Sequence, residues 1–237
     1  MPCPGFGGRQ KGQRMVSVVM LGASGAVGGE ALRALDAMAQ VTRITVLNRR
    51  PLAGLGARIG EHIVDVGDPD SYRAFLAGHD AAICTLGVGE PSKSSREEFT
   101  RVDHDMPLAF AQACKAAGVA HFSLLSAVGA TSSSRVFYIR SKGKLEDSLR
   151  ALGFARLSLF HPSMILTPSN RYGASQAVAL AVWPWLTPVL AGPLRKYRGI
   201  RVRDLGRAMA LNTGSPRGPA GTEVLEWDQF MAIGGAA

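Results

Sequence analysis

The sequence predicts an α/β fold: a Rossmann-like, doubly wound parallel sheet with helices on both faces and a small C-terminal lobe. Three observations predict it. Short apolar runs alternate with helical patterns from Ser17 to Phe160, and that alternation requires right-handed crossovers and therefore a parallel sheet. The first apolar run, Ser17 to Leu21, leads into glycines at 22, 25 and 28 and then into a helical pattern. A strand that ends in a glycine turn and opens a helix presents unpaired N–H groups and the positive end of the helix dipole to a phosphate. Finally, a chain of 237 residues with 46% hydrophobic residues has the length of one domain with a small appended lobe and enough apolar side chains to fill it.

Each element follows in order. Strand Ser17–Leu21 is followed by a helix from about Gly28 to Met38, then by strand Arg43–Leu47, which runs into Asn48-Arg49-Arg50-Pro51. His62–Val66 reads as the third strand, and Asp68-Pro69-Asp70 opens a helix toward Ala77. Asp80–Thr85 is the fourth strand, ending at Leu86-Gly87, and a loop rich in Gly, Pro and Ser reaches Ser95. Ser95 and Glu98 form a capping box for one long helix from Arg96 to Ala117, because a Ser three residues before a Glu can satisfy two free backbone donors reciprocally. His121–Ser126 is the fifth strand, Val136–Leu152 a helix and Arg156–Phe160 the sixth strand. Residues 1–14, rich in Gly, Pro and basic side chains, read as a flexible lead-in without the apolar core of a secretory signal. Residues 15–160 then form the nucleotide-binding domain. Residues 161–237, punctuated by seven prolines, form the C-terminal lobe. Within it Ala174–Leu190 is nearly uncharged; Pro184 and Pro188 interrupt it, so a buried or substrate-lining helix is expected rather than a membrane contact.

Lys and Arg number 27 against 18 for Asp and Glu, a net charge of +9. The surface therefore favours anions, but the basic residues form no stripe interleaved with aromatics, and no nucleic acid is expected. Cys3, Cys84 and Cys114 are far apart and odd in number, which suits reduced thiols inside a cell, and a cytoplasmic protein is expected. The five histidines show no metal-ligand spacing, so no metal is expected. A homo-oligomer is compatible with the sequence.

The chemistry-bearing residues follow the same track. Gly22 permits the tight turn, Gly25 lets the backbone approach a pyrophosphate, and Gly28 lets the helix pack closely on the strand. Such a triplet by itself also fits an ordinary strand–turn–helix corner. At the end of the second strand an acidic residue would select NAD. Asn48, Arg49 and Arg50 stand there instead, and two guanidiniums would pair with a 2′-phosphate, so NADP(H) is the expected cofactor. Asp65 ends the third strand where a carboxylate could accept the adenine amino group. Tyr138 and Lys142 are four apart on one helix and so share a face. An ammonium beside a phenol favours phenolate and makes the tyrosine a usable general acid or base. The fifth strand brings Ser126 to the same sheet edge.

Gly22-Ala23-Ser24-Gly25-Ala26-Val27-Gly28, Asn48-Arg49-Arg50, Leu124-Leu125-Ser126 and Tyr138-x-x-x-Lys142 together resemble the short-chain dehydrogenase/reductase superfamily in its extended or atypical branch. Further segments, including Cys84-Thr85-Leu86-Gly87, Phe99 to Asp103 and Tyr138 to Glu146, are similar to its Tat-interactive oxidoreductase group, over about residues 16 to 210. The resemblance implies that Gly22, Ser24, Gly25, Ala26 and Val27 wrap the pyrophosphate and that Arg49 and Arg50 hold the 2′-phosphate. Asp65 and Val66 would flank the adenine, and Leu86 and Gly87 the ribose. Tyr138 would move the proton, with Lys142 its partner and Ser126 orienting the reacting oxygen. His161-Pro162-Ser163 replaces an Arg-Pro-Gly-like segment at the nicotinamide end, and Ala127 stands where many relatives have a second Ser. The expected activity is reduction or oxidation of a small carbonyl or alcohol substrate by hydride transfer. A regulatory NADPH-binding protein and an epimerase or dehydratase that retains its cofactor are the alternatives.

Overall fold

The computed structural model describes residues 15–88, 94–167, 190–216 and 218–235. Its strands are β1 (Val16–Leu21), β2 (Val41–Asn48), β3 (Ile59–Ile63), β4 (Ala81–Cys84), β5 (His121–Leu125), β6 (Arg156–Phe160), β7 (Ile165–Leu166), β8 (Ile200–Arg201) and β9 (Gly221–Leu225). Its α-helices are α1 (Ala26–Asp36), α2 (Arg96–Thr100), α3 (Met106–Ala116), α4 (Phe137–Ala151), α5 (Val202–Thr213) and α6 (Trp227–Gly235). Seven strands form one sheet in the order β3-β2-β1-β4-β5-β6-β9, every pair parallel, and β7 pairs with β8 apart from it.

Buried strands explain both faces. In β1 every residue is buried, as expected where helices cover a parallel sheet on two sides. Val18 and Met20 point into a core with α1, α5 and α6. Val19 and Leu21 point into the opposite core with α3 and α4. The chain order reverses between β1 and β4, so their carboxyl ends diverge into the crevice where such sheets take ligands.

Several elements differ from the sequence pattern for identifiable reasons. β3 lies three residues earlier than expected: after Ile63 one further bond, Val64 N to Asn48 O at 2.9 Å, ends the pairing. Asp65 then turns the chain by accepting the N–H of Gly67 at 2.9 Å. The helix expected after Asp68 is two 3₁₀ turns, Pro69–Ser71 and Arg73–Phe75, because the Ser71 hydroxyl binds the carbonyls of Asp65 and Asp68 and so diverts backbone acceptors from a regular helix. The long helix from Arg96 is capped by Ser95 as expected, but a π-helical turn, Arg101–Asp105, interrupts it. Pro107, at the start of α3, lacks the N–H that a regular helix would give to the carbonyl of Asp103, and the wider turn absorbs that defect. Within the expected C-terminal lobe, β9 extends the sheet beside β6, and α5 packs on α1 through Gly206, where a Cβ would lie 2.8 Å from the Ala31 nitrogen. Residues 174–189 of the apolar stretch lie outside the described residues. No helix among the described residues is long and apolar enough to cross a membrane.

Candidate functional site

The glycine turn is a close-packed cradle. Gly22 adopts φ +96°, and a Cβ there would meet Thr85 Oγ1 at 2.6 Å. A Cβ on Gly28 would come within 2.1 Å of the Gly22 carbonyl oxygen. Thr85, at the end of β4, donates its hydroxyl to that same carbonyl at 3.0 Å and so fixes the turn to the neighbouring strand. Gly25 is the N-cap of α1 and offers no side-chain cap, and the first turn carries no acidic residue. The leading N–H groups of α1 are left for an external acceptor, with Ser24 and Gly25 exposed beside them. This cradle fits a pyrophosphate.

Two clefts lie along this edge, the first lined by the turn itself and the second by the ends of the neighbouring strands. One, of about 480 Å³, runs from Ala23, Ser24, Gly25 and Ala26 along α1 to the loop at Leu52–Gly56; neither Tyr138 nor Lys142 lines it. The other, of about 440 Å³, gathers Arg49, Asp65, Val66, Leu86 and Gly87 with Arg101 and Met106. Five residues expected along the adenosine half of a dinucleotide thus line one cavity. Asn48 and Arg50 do not line it. Asn48 is buried and its amide donates to Glu61 Oε1 at 2.8 Å, while Arg50 is exposed beside it. The same Glu61 oxygen accepts the Leu52 N–H at 2.9 Å, so Asn48 anchors the loop that carries the two arginines.

At the other end of the edge, α4 presents Tyr138 and Lys142 on one face. The Tyr138 ring packs edge-on against Phe99, centroids 5.6 Å apart. Its hydroxyl makes no hydrogen bond to a described residue. Lys142 is 4% exposed, and its Nζ lies 2.8 Å from Asp103 Oδ1, while Asp103 Oδ2 accepts the Val88 N–H at 2.6 Å. Asp103, the buried partner of Lys142, is the residue of this cluster that the sequence pattern did not single out. It sits in the π turn, whose extra residue re-aims side chains relative to a regular helix, and Pro107 was the available signal for such a turn.

The electrostatics follow from that pairing. Burial pushes the Lys142 ammonium toward neutrality, but Asp103 and Tyr138 hold it charged, and the net shift is upward. Burial pushes the Tyr138 phenol up, Lys142 draws it down and Asp103 pushes it up; the net shift is upward. This corrects the expectation that Lys142 brings the phenol down: burial outweighs the field of the ammonium, and Asp103 adds to the upward push. Burial also pushes Cys84 up to about 11 and raises Cys114, so neither thiol is a nucleophile at neutral pH. No group of candidate metal ligands is found among the described residues.

Ser126 and His161 lie together, but they face Glu146. The Ser126 hydroxyl donates to Glu146 Oε1, and His161 Nε2 donates to the same oxygen at 2.7 Å. Pro162 is buried behind them, its carbonyl accepting the Val128 N–H at 3.0 Å.

Fold, cradle and edge define a nucleotide-binding protein of the Rossmann class. The model of the NAD(P)H-binding family matches residues 22–157, and the chain belongs to that family. Relatives match over most of the chain. Protein HTATIP2 of Rattus norvegicus is 32% identical over 225 residues, covering 92% of this chain and 89% of the relative. Protein fmp52, mitochondrial, of Emericella nidulans is 32% identical over 171 residues, covering 70% of this chain and 73% of the relative. Among solved structures, MoeE5 in complex with UDP-glucuronic acid and NAD superposes with a TM-score of 0.67 at 18% identity, over 89% of this chain and 75% of that one. Uronate dehydrogenase from Agrobacterium tumefaciens gives 0.63 at 14% identity, over 89% and 76%; likeness at this level shows the fold. The expected cytoplasmic location is corrected here, because several FMP52 relatives are named mitochondrial. Reduced, scattered thiols do not distinguish one reducing compartment from another.

Proposed function

We propose that this chain is an NADP(H)-dependent oxidoreductase acting on a small carbonyl or alcohol substrate, with Tyr138 as the proton-transfer group. The observation that carries the reading is the Tyr138–Lys142 face of α4, with its buried Asp103 partner, on the same sheet edge as the glycine cradle. Bound NADPH supplies a hydride at the nicotinamide C4. The α1 N-terminus with Ser24, Gly25, Ala26 and Val27 holds the pyrophosphate. Arg49 and Arg50 hold the 2′-phosphate, since both are exposed at the end of β2 and a guanidinium pairs bidentately with phosphate oxygens. Asp65 and Val66 flank the adenine, and Leu86 and Gly87 the ribose. Lys142 has three N–H donors; one is engaged by Asp103, which leaves donors for a ribose hydroxyl. A tyrosine phenol, ordinarily titrating at about 10, carries its proton at neutral pH. Tyr138 is thereby suited to donate that proton to a carbonyl oxygen as charge develops on it. Buried neighbours and Phe99 keep water from the phenol's flank.

NADPH should raise the thermal midpoint more than NADH at equal concentration, and R49Q/R50Q should remove that difference through a roughly tenfold to hundredfold loss of NADPH affinity. Equal shifts in the unaltered protein would remove the arginine assignment. A second reading, an NADPH-responsive regulatory protein with little turnover, is favoured by one observation: Ser126 gives its hydroxyl proton to Glu146 rather than to the open site. NADPH consumption over a panel of carbonyl compounds separates the two. Binding without consumption would favour the regulatory reading.

A further inference from the structure

We infer that Glu146 is a positioning residue that sets where α4 presents Tyr138, by clasping the ends of β5 and β6. The inference rests on Tyr138 as the proton-transfer group. Tyr138, Lys142, Glu146 and Arg150 recur every four residues along α4 and form one row. The upper half of that row faces the site. Glu146, 1% exposed, binds what lies beneath it. One carboxylate oxygen accepts both Ser126, just past β5, and His161, just past β6. The other accepts Arg150 NH2 at 3.0 Å. Both clasped residues are themselves fixed by backbone bonds, Ser126 N to Phe160 O at 2.8 Å and His161 N to Leu225 O at 2.8 Å. Glu146 thus joins two parallel strand ends to one helix.

The helix is also seated tightly one turn away. A Cβ on Gly143 would lie 2.1 Å from the Thr131 carbonyl carbon, so α4 cannot slide toward that loop without a clash. Close contact and clasp both fall in the turn that follows Lys142 and fix the helix about two turns from the phenol. A buried carboxylate with three donors on it is a rigid anchor: an unmet acceptor or donor there costs more than the bond contributes when made. Shifting a catalytic group by about 1 Å can cost on the order of a hundredfold in rate, so the anchor has a kinetic signature apart from any effect on folding.

The test compares E146Q with D147N in the full chain. Asp147 meets the same Arg150 at 3.0 Å from the exposed side and touches neither strand end, so D147N controls for loss of an arginine partner. Two readouts apply: kcat and KM for NADPH-dependent reduction, with NADPH affinity from fluorescence, and amide hydrogen exchange across the chain. In E146Q, kcat should fall roughly tenfold to hundredfold with NADPH affinity within about twofold. Exchange should accelerate over residues 137–142 as well as at 124–128 and 160–163. D147N should change none of these. Adding S126A to E146Q should cost nothing further, because Ser126 acts through the clasp. The inference is overturned if E146Q leaves kcat and exchange at 137–142 unchanged. It is overturned equally if exchange accelerates only at the two strand ends, or if kcat, affinity and thermal midpoint fall together. If Y138F retains turnover, or no carbonyl is reduced at all, the functional reading fails, and exchange at 137–142 still decides whether Glu146 positions the helix.

Discussion

The two edges of the sheet use buried polar groups in opposite ways. At the amino edge Arg156 meets Glu223 at 2.7 Å and the Asn212 carbonyl at 3.2 Å. Ser158 donates to Glu223 at 2.6 Å, His121 pairs with Ser158 at 2.8 Å and Ser123 with Thr213 at 2.7 Å. The partners come from β5, β6, β9 and α5, so the network ties the last strand and helix to the middle of the sheet. At the carboxyl edge the pairs Lys142–Asp103 and Glu146–His161 are more deeply buried, but they adjoin groups left without a partner. Among the described residues the Tyr138 hydroxyl has no hydrogen-bond partner, Arg49 and Arg50 have no ion pair, and the start of α1 has no side-chain cap. The amino-edge network pairs its charged groups with one another; the carboxyl edge leaves its phenol and arginines open. In a doubly wound sheet the carboxyl edge is the one that takes ligands.

That contrast can be broken most forcefully at the glycine turn. G28A should abolish measurable NADPH binding and lower the thermal midpoint, because the added methyl would sit 2.1 Å from the Gly22 carbonyl; unchanged binding would mean the cradle is not the phosphate site. Next comes a matched pair, one substitution per edge. D103N and E223Q each leave a buried cation short of its partner, and each should cost a few kcal/mol, about 3 for the more buried Asp103. Only D103N should also impair turnover. Equal loss of turnover in both would erase the distinction between edges.

A more gradual effect is expected from acid. Burial lowers His79 to about 4 and His121 to about 3. Both lie at the amino edge and are neutral when folded. Unfolded imidazoles take up protons below about 6.5, so this stability is fully present above that pH. It is lost as the pH falls toward the folded values, by about 1.4 kcal/mol per pH unit for each histidine. Thermal midpoints measured between pH 6.5 and pH 4 should fall accordingly, and H121N should roughly halve the slope. Burial pushes Glu223 up but its bonds from Ser158, Asn212 and Arg156 bring it below its usual range, so it adds to the loss only below about pH 4.5.

Much of the carboxyl edge was legible in the sequence, because its signals are local. Gly22, Gly25 and Gly28 are spaced for one turn, Tyr138 and Lys142 for one helix face, and β6 has the predicted bounds Arg156–Phe160. What was not legible depends on contacts between distant segments. Asp103 reads as part of a polar run, Asp103-His104-Asp105, yet it is buried because Pro107 forces a π turn and Lys142 waits opposite. Ser126 and His161 are at the predicted edge, but their direction is set by Glu146, which nothing in the local pattern singles out. β9 is a five-residue strand with a mostly exposed pattern, too short and too polar to declare itself before β6 is there to pair with it.

The central claim is that Tyr138 supplies the proton while the rest of the edge holds the dinucleotide. Y138F, assayed for NADPH affinity and for NADPH-dependent carbonyl reduction on the same preparation, tests it most directly. Affinity should stay within about twofold while kcat falls on the order of a hundredfold to ten-thousandfold, the usual contribution of general acid–base catalysis. Undiminished turnover in Y138F would contradict the account.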